Sequence, residues 1–154
     1  MDISSKANGI AGRLSNFTTR YFVFDGIQCN SMEGLLQSFK FENIESQKAT
    51  CLLVGGAAKK KGRGRNKYWQ SKQTLWWNGK TYLRKSKDYQ ILLNRAYNSM
   101  YSQSEQLRND LKNSQNAIFS HNMGSNNEKE TVLTEREFCS RLQHLKDKGL
   151  LPEN

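Results

Sequence analysis

Proline is nearly absent from the chain, with Pro152 alone against 36% hydrophobic and 10% aromatic residues. That balance excludes a proline-rich disordered linker and permits helices to run uninterrupted. Apolar runs are also short. None approaches the ~20 residues of a membrane-spanning helix, and the polar residues 1–6 lack the hydrophobic region of a signal peptide. A cytoplasmic protein with no membrane partner is expected. The three cysteines, Cys29, Cys51 and Cys139, are odd in number and far apart. Without a C-x-x-C pair, neither a structural zinc nor a redox couple is expected, and reduced thiols in apolar surroundings are the default. Missing too are G-x-S-x-G, H-E-x-x-H and the P-loop spacing G-x-x-x-x-G-K-[ST], so serine-hydrolase, zinc-protease and P-loop chemistry lack support. No segment repeats at a fixed period, which excludes a solenoid. No metal or cofactor is implied.

What the chain has in excess is positive charge: 24 Lys and Arg against 14 Asp and Glu, a net charge of +10. Such a field attracts phosphates, and nucleic acid is the commonest large phosphate polymer, although many basic domains bind no polyanion. The length of 154 residues suits one domain with a real core. The expected organisation is an irregular lead-in over 1–12, a domain over 13–148 and a tail over 149–154.

The expected fold is a mainly helical α+β domain, with short β-hairpins packed on about five helices. Asp25-Gly26, between Tyr21-Phe22-Val23-Phe24 and Ile27-Gln28-Cys29, is a two-residue hairpin signal. Asn78-Gly79 repeats it between Leu75-Trp76-Trp77 and Thr81-Tyr82-Leu83. A partly buried helix is read from Glu42 to Val54, on Ile44, Ala49, Cys51, Leu52 and Leu53, and ended by Gly55-Gly56. Ser86 caps a helix with the stripe Tyr89, Leu92, Leu93, Ala96, Tyr97 and Met100, and another starts at Ser104. Residues 115–129 form a polar loop of functional length. Thr134 and Glu137 make a capping box for the last helix.

Residues 31–41 carry the densest pattern in the chain. At 100° per residue Met32, Leu35, Leu36 and Phe39 share an apolar stripe, while Glu33, Gln37 and Lys40 share the stripe beside it. Ser31 can cap this helix, and Glu33 sits in the first turn, where the helix dipole favours negative charge. On pattern alone such polar residues are the solvated shoulder of a helix. The wider string is more specific: Leu14-Ser15-Asn16-Phe17, Phe24-Asp25-Gly26, then Ser31-Met32-Glu33 with Gln37 and Lys40-Phe41. It resembles the opening signature of the NADAR (YbiA-like) N-glycosidase family over about thirty residues with fixed spacings. The resemblance implies a hydrolase cleaving an N-glycosidic bond of an ADP-ribose-type or ribosyl-phosphate substrate, with Glu33 catalytic and Asn16, Phe17, Gln37, Lys40, Arg65 and Trp69 around the substrate. Family members are linked both to phosphoribosyl-aminopyrimidine intermediates of riboflavin synthesis and to ADP-ribose on nucleobases. Where many members carry a Trp-Gly segment with an acidic residue, this chain has Ser120-His121-Asn122-Met123-Gly124. That departure leaves the second catalytic group open. His121, a loop residue able to titrate near neutrality, is carried as a substrate-side group.

Between residues 59 and 67 the cations Lys59, Lys60, Lys61, Arg63, Arg65 and Lys67 are interspersed with glycines, which reads as a mobile loop. Its bland reading is a solvated charge run; its functional reading is a phosphate clamp on a nucleic-acid backbone, with Lys59, Lys60, Lys61, Arg63 and Lys67 as contacts. The sequence is compatible with two functions. One is an N-glycosidase, best on ADP-ribose attached to a nucleobase such as guanine in DNA, with the riboflavin intermediates as the alternative substrate. The other is a non-catalytic basic module for nucleic acid or ADP-ribose. The lysine- and asparagine-rich chain looks like phage versions of the family, acting in the host cytoplasm.

Overall fold

The computed structural model describes residues 1–154 as helices around two small antiparallel sheets. The first hairpin joins β1 (Phe22–Phe24) to β2 (Ile27–Cys29). Both turn residues take positive φ, 49° at Asp25 and 78° at Gly26, as a tight twisted turn requires. Strand alternation sends Phe22, Phe24, Ile27 and Cys29 into the core. The second hairpin, β3 (Thr74–Trp77) and β4 (Lys80–Leu83), turns at Asn78-Gly79 in the same manner. The two hairpins meet, because Trp77 stacks on Phe24 at 5.4 Å and donates its indole N–H to Asp25. Arg95 holds the other oxygen of that carboxylate.

The residue 31–41 segment folds as α2 (Met32–Ser38). Ser31 caps it by accepting from Gly34 N–H and anchors it by donating to Leu53 O. Met32, Leu35, Leu36 and Phe39 are buried, each worth roughly 1.5–3 kcal/mol of removed apolar surface. Against α2 pack α3 (Ile44–Cys51) and α4 (Gly55–Arg63), and α5 (Asn66–Lys72) follows, packed on β3. The scaffold behind is α6 (Lys87–Gln103), α7 (Glu105–Asn113) and α8 (Glu135–Lys148). Ser86, Ser104 and Thr134 cap these helices as the sequence predicts, with the full capping box at Thr134 and Glu137. One hydrophobic cluster of 29 buried residues runs through all layers, so the chain has a single core.

Three expectations are corrected. The lead-in is not irregular: Ile3 is fully buried, its N–H donates to Ser120 O, and residues 9–13 form a short helix, α1. A lone isoleucine among small polar residues carries no periodic signal, so only its tertiary pocket identifies it. The basic run is not a mobile loop either. Gly55-Gly56 open α4 instead of merely ending α3, and Lys59, Lys60, Lys61 and Arg63 lie on that helix, with Lys67 on α5. Lysine and alanine are good helix formers, and Gly62 is there for proximity: a Cβ on it would lie 1.7 Å from Gln37 Oε1. The cost of a mid-helix glycine, about 1 kcal/mol, is offset by packing α4 directly on α2. The helix count therefore rises from about five to eight, the extra ones being short. Finally, no helix is long and apolar enough to cross a membrane.

Candidate active site

The α2 face carrying Glu33, Gln37 and Lys40 forms the floor of a cleft of about 320 Å³. Gln37 and Lys40 are buried and Glu33 partly so. Gln37 donates its amide N–H to Glu33 Oε1 at 2.8 Å, and Lys40 Nζ donates to Asn66 Oδ1 at 2.7 Å. These bonds fix the direction of each head group. Burial raises the Glu33 pKa; the Gln37 hydrogen bond and the charges of Lys40, Lys59 and His121 oppose it. Burial pushes the Lys40 ammonium down to about 8, with Glu33 resisting and Lys59 adding to the fall. A carboxylate whose pKa is raised by burial thus shares a confined space with an amine that loses its proton near pH 8.

The loop carrying Asn16 and Phe17 is tied to the floor, since Glu33 N–H donates to Asn16 O at 3.0 Å and Tyr97 hydroxyl donates to Asn16 Oδ1 at 2.8 Å. Phe17 lines the cleft above Gly55. From α4, Lys59 and Arg63, four residues apart and so on one face, supply cationic walls. The remaining wall is made by His121, Met123 to Ser125 and Glu130 to Thr134. His121 Nδ1 lies 2.7 Å from Ile3 O. A carbonyl only accepts, so Nδ1 carries the proton and Nε2 remains for other work. The ring edge packs on Phe138 at 5.5 Å. The cleft continues into a second lobe of about 360 Å³, which shares Asn16, Glu33, Lys59, Arg63 and His121 and adds Ser4, Ser5 and Lys6.

The structure brings together Asn16, Phe17, Glu33, Gln37, Lys40 and His121. Trp69 is not among them: it is fully buried, and its indole N–H reaches Asn66 Oδ1 at 3.3 Å. It steadies the residue that holds Lys40 and presents no face to the cleft. Arg65 is also elsewhere, with Nε on Lys40 O and its guanidinium 4.2 Å over Tyr68. Lys59 and Arg63, read as nucleic-acid contacts, line the cleft, whereas Lys60, Lys61 and Lys67 are exposed and do not line it. Sequence reasoning missed Asn66 as a site residue. Its place three residues before Trp69, one helical turn away, is its only local signal.

The family model described as bacteriophage protein GP30.3 matches residues 8–147. A 17.1 kDa protein of the Gp30-rIII intergenic region of Enterobacteria phage T4 is 35% identical over 148 residues, covering 96% of this chain and 97% of the relative. Among solved structures, the NMR structure of the E. coli protein YbiA superposes with a TM-score of 0.60 at 15% identity, over 94% of this chain and 80% of that one. That likeness gives the fold: a YbiA-like α+β domain.

Proposed function

The chain belongs to the bacteriophage GP30.3 family, and we propose that it is an N-glycosidase acting on an ADP-ribose-type substrate, with the ribose bound over Glu33. The observation that carries this is the Glu33–Gln37 hydrogen bond beside Lys40, on the floor of a cleft walled by Lys59 and Arg63. Hydrolysis breaks the C1′–N bond, adds water at C1′, and returns the proton to the departing base. Positive charge grows on the ribose as the bond lengthens, and an ionised carboxylate beside it stabilises that charge. Glu33 takes this role and accepts the proton of the attacking water. Gln37 holds the carboxylate in line, while Lys40, Lys59 and Arg63 grip phosphate oxygens and Asn16 the hydroxyls. His121, with Nε2 uncommitted, can relay a proton to the leaving group.

The second lobe favours the larger substrate. A ribosyl monophosphate, such as a phosphoribosyl-aminopyrimidine, needs one lobe and one or two cations. A nucleoside diphosphate sugar would use both lobes, with Lys6, Lys59 and Arg63 available to its phosphates. We assign the leaving group as a nucleobase, guanine in DNA being the leading case, because the net charge and the exposed lysines outside the cleft suit a polyanion. A phage-family enzyme of this kind would act in the host cytoplasm.

Mass spectrometry after incubation with an ADP-ribosylated oligonucleotide tests the reading. Release of ADP-ribose by the wild type and its loss by a factor of at least ~10³ in Glu33→Gln, with fold unchanged, is expected. Unchanged turnover in that variant would sink the assignment. Tight, salt-steep binding with no released product would instead favour a non-catalytic module.

A further inference from the structure

Outside the cleft, the α4–α5 elbow and β3 place planar and cationic side chains in a continuous strip. Arg65 lies 4.2 Å over Tyr68 and 5.5 Å over Phe41. Trp76 stacks on Tyr68 with centroids 5.7 Å apart and planes 25° off parallel. Lys61 stands over Phe41 and Lys72 over Tyr68. Trp76 packs one side against the core and is partly exposed on the other, and Tyr68 is 38% exposed, whereas Trp69 and Trp77 are buried. The acid beside it is Glu42, which accepts from the Tyr68 hydroxyl. One carboxylate among these lysines and arginines leaves the strip cationic.

We propose that this strip is a track for single-stranded nucleic acid: Arg65 and Trp76 already cover the Tyr68 ring, so an unpaired base extends the stack from its partly exposed end at Trp76, and Lys61, Lys67 and Lys72 meet the phosphates. A duplex hides its base faces and offers only backbone, so aromatic side chains at a surface gain nothing from it. Unpaired bases offer a π-face whatever their sequence. Arg65 also ties the track to the cleft, since its Nε donates to the backbone carbonyl of Lys40. The inference extends the nucleic-acid side of the proposed activity but rests on surface geometry alone, so it stands or falls by binding and not by turnover.

The test is binding of the full chain to labelled oligo-dT and to a duplex of equal length, by anisotropy across several salt concentrations. Single strands should bind more tightly and should quench intrinsic fluorescence, of which Trp76 is the partly exposed source. Trp76→Phe and Tyr68→Ala should each weaken oligo-dT binding, the alanine variant by about ten-fold, and leave duplex binding unchanged. Tyr68→Phe, which keeps the ring and loses only the bond to Glu42, should retain it. Equal affinity for duplex and single strand, or an unchanged oligo-dT affinity in Tyr68→Ala, would overturn the proposal. So would competition by polyglutamate as effective as by oligo-dT. None of these readouts requires hydrolysis, so an inactive cleft and an unused track are told apart.

Discussion

Lys40 shows how far a single side chain can be held from its resting chemistry. It is 6% exposed, and burial is what brings its pKa down from 10.5 to about 8. The unfolded chain therefore binds a proton between pH 8 and 10.5 that the native state gives up. Stability from this group is present above the unfolded value and lost as pH falls through about 8, so at neutrality the charged lysine is a burden. Replacing it with methionine should stabilise the protein near pH 7, by roughly 1–3 kcal/mol, while weakening the grip on a phosphate-bearing substrate. Thermal unfolding at pH 7 beside substrate titration checks both, and a lower melting temperature would show that its bond to Asn66 matters more than its desolvation. The wild type's KM for an anionic substrate should rise above pH 8, as the ammonium is lost.

Among the elements, α4 is the one whose position decides the site. It lies on α2 through Gly62, where a Cβ would come within 1.7 Å of Gln37 Oε1 and 2.6 Å of its Cδ. Gln37 cannot swing away freely, because its amide holds Glu33 and its Oε1 is already buried without a partner. Gly62→Ala should therefore push α4 outward or break the Gln37–Glu33 bond, costing about 1–3 kcal/mol despite the better helix propensity of alanine. Because Lys59 and Arg63 ride on the same helix, KM should rise along with the loss of stability. A variant as stable and as active as wild type would show that the α2–α4 contact has slack. On α8, Glu137 serves two ends at once, closing the capping box and receiving both terminal nitrogens of the fully buried Arg84. Burial alone would raise its pKa, but Arg84, the Thr134 N–H and Gln90 more than offset that and hold it below the usual carboxylate value. Its contribution is fully present above pH 4.5 and is lost as acid protonates it. Arg84→Met, which leaves that carboxylate short of its partner, should cost about 3–5 kcal/mol at neutral pH and flatten the acid limb of the melting curve.

At the scale of the whole molecule, the net charge of +10 sorts into two populations. Lys40, Lys59 and Arg63 face the cleft, whereas Lys60, Lys61 and Lys67 are exposed away from it. Neutralising the outer three together should flatten the salt dependence of nucleic-acid binding by about one unit per lost phosphate contact and leave hydrolysis of a free small substrate unchanged. Binding slopes equal to wild type would mean that the outer lysines are merely solvated.

The sequence by itself determined the elements whose signal is local. The Asp25-Gly26 and Asn78-Gly79 turns, the caps at Ser31, Ser86, Ser104 and Thr134, and the apolar stripes of α2 and α6 all depend on residues within a turn or two of one another. The shared face of Glu33, Gln37 and Lys40 was legible for the same reason, being a matter of helical period. Tertiary structure alone decided what lies opposite that face. His121 comes to the cleft because Ile3, 118 residues earlier, accepts its Nδ1 proton. Asn66 matters because Lys40, 26 residues before it, needs an acceptor. Lys59 and Arg63 line the cleft, and Arg65 does not, because a glycine lets α4 lie against α2. Each outcome depends on the space between elements distant in the chain, and no local propensity encodes that space. Trp69 marks the boundary: the family resemblance implied a place beside the substrate, and the packing around it left no open face.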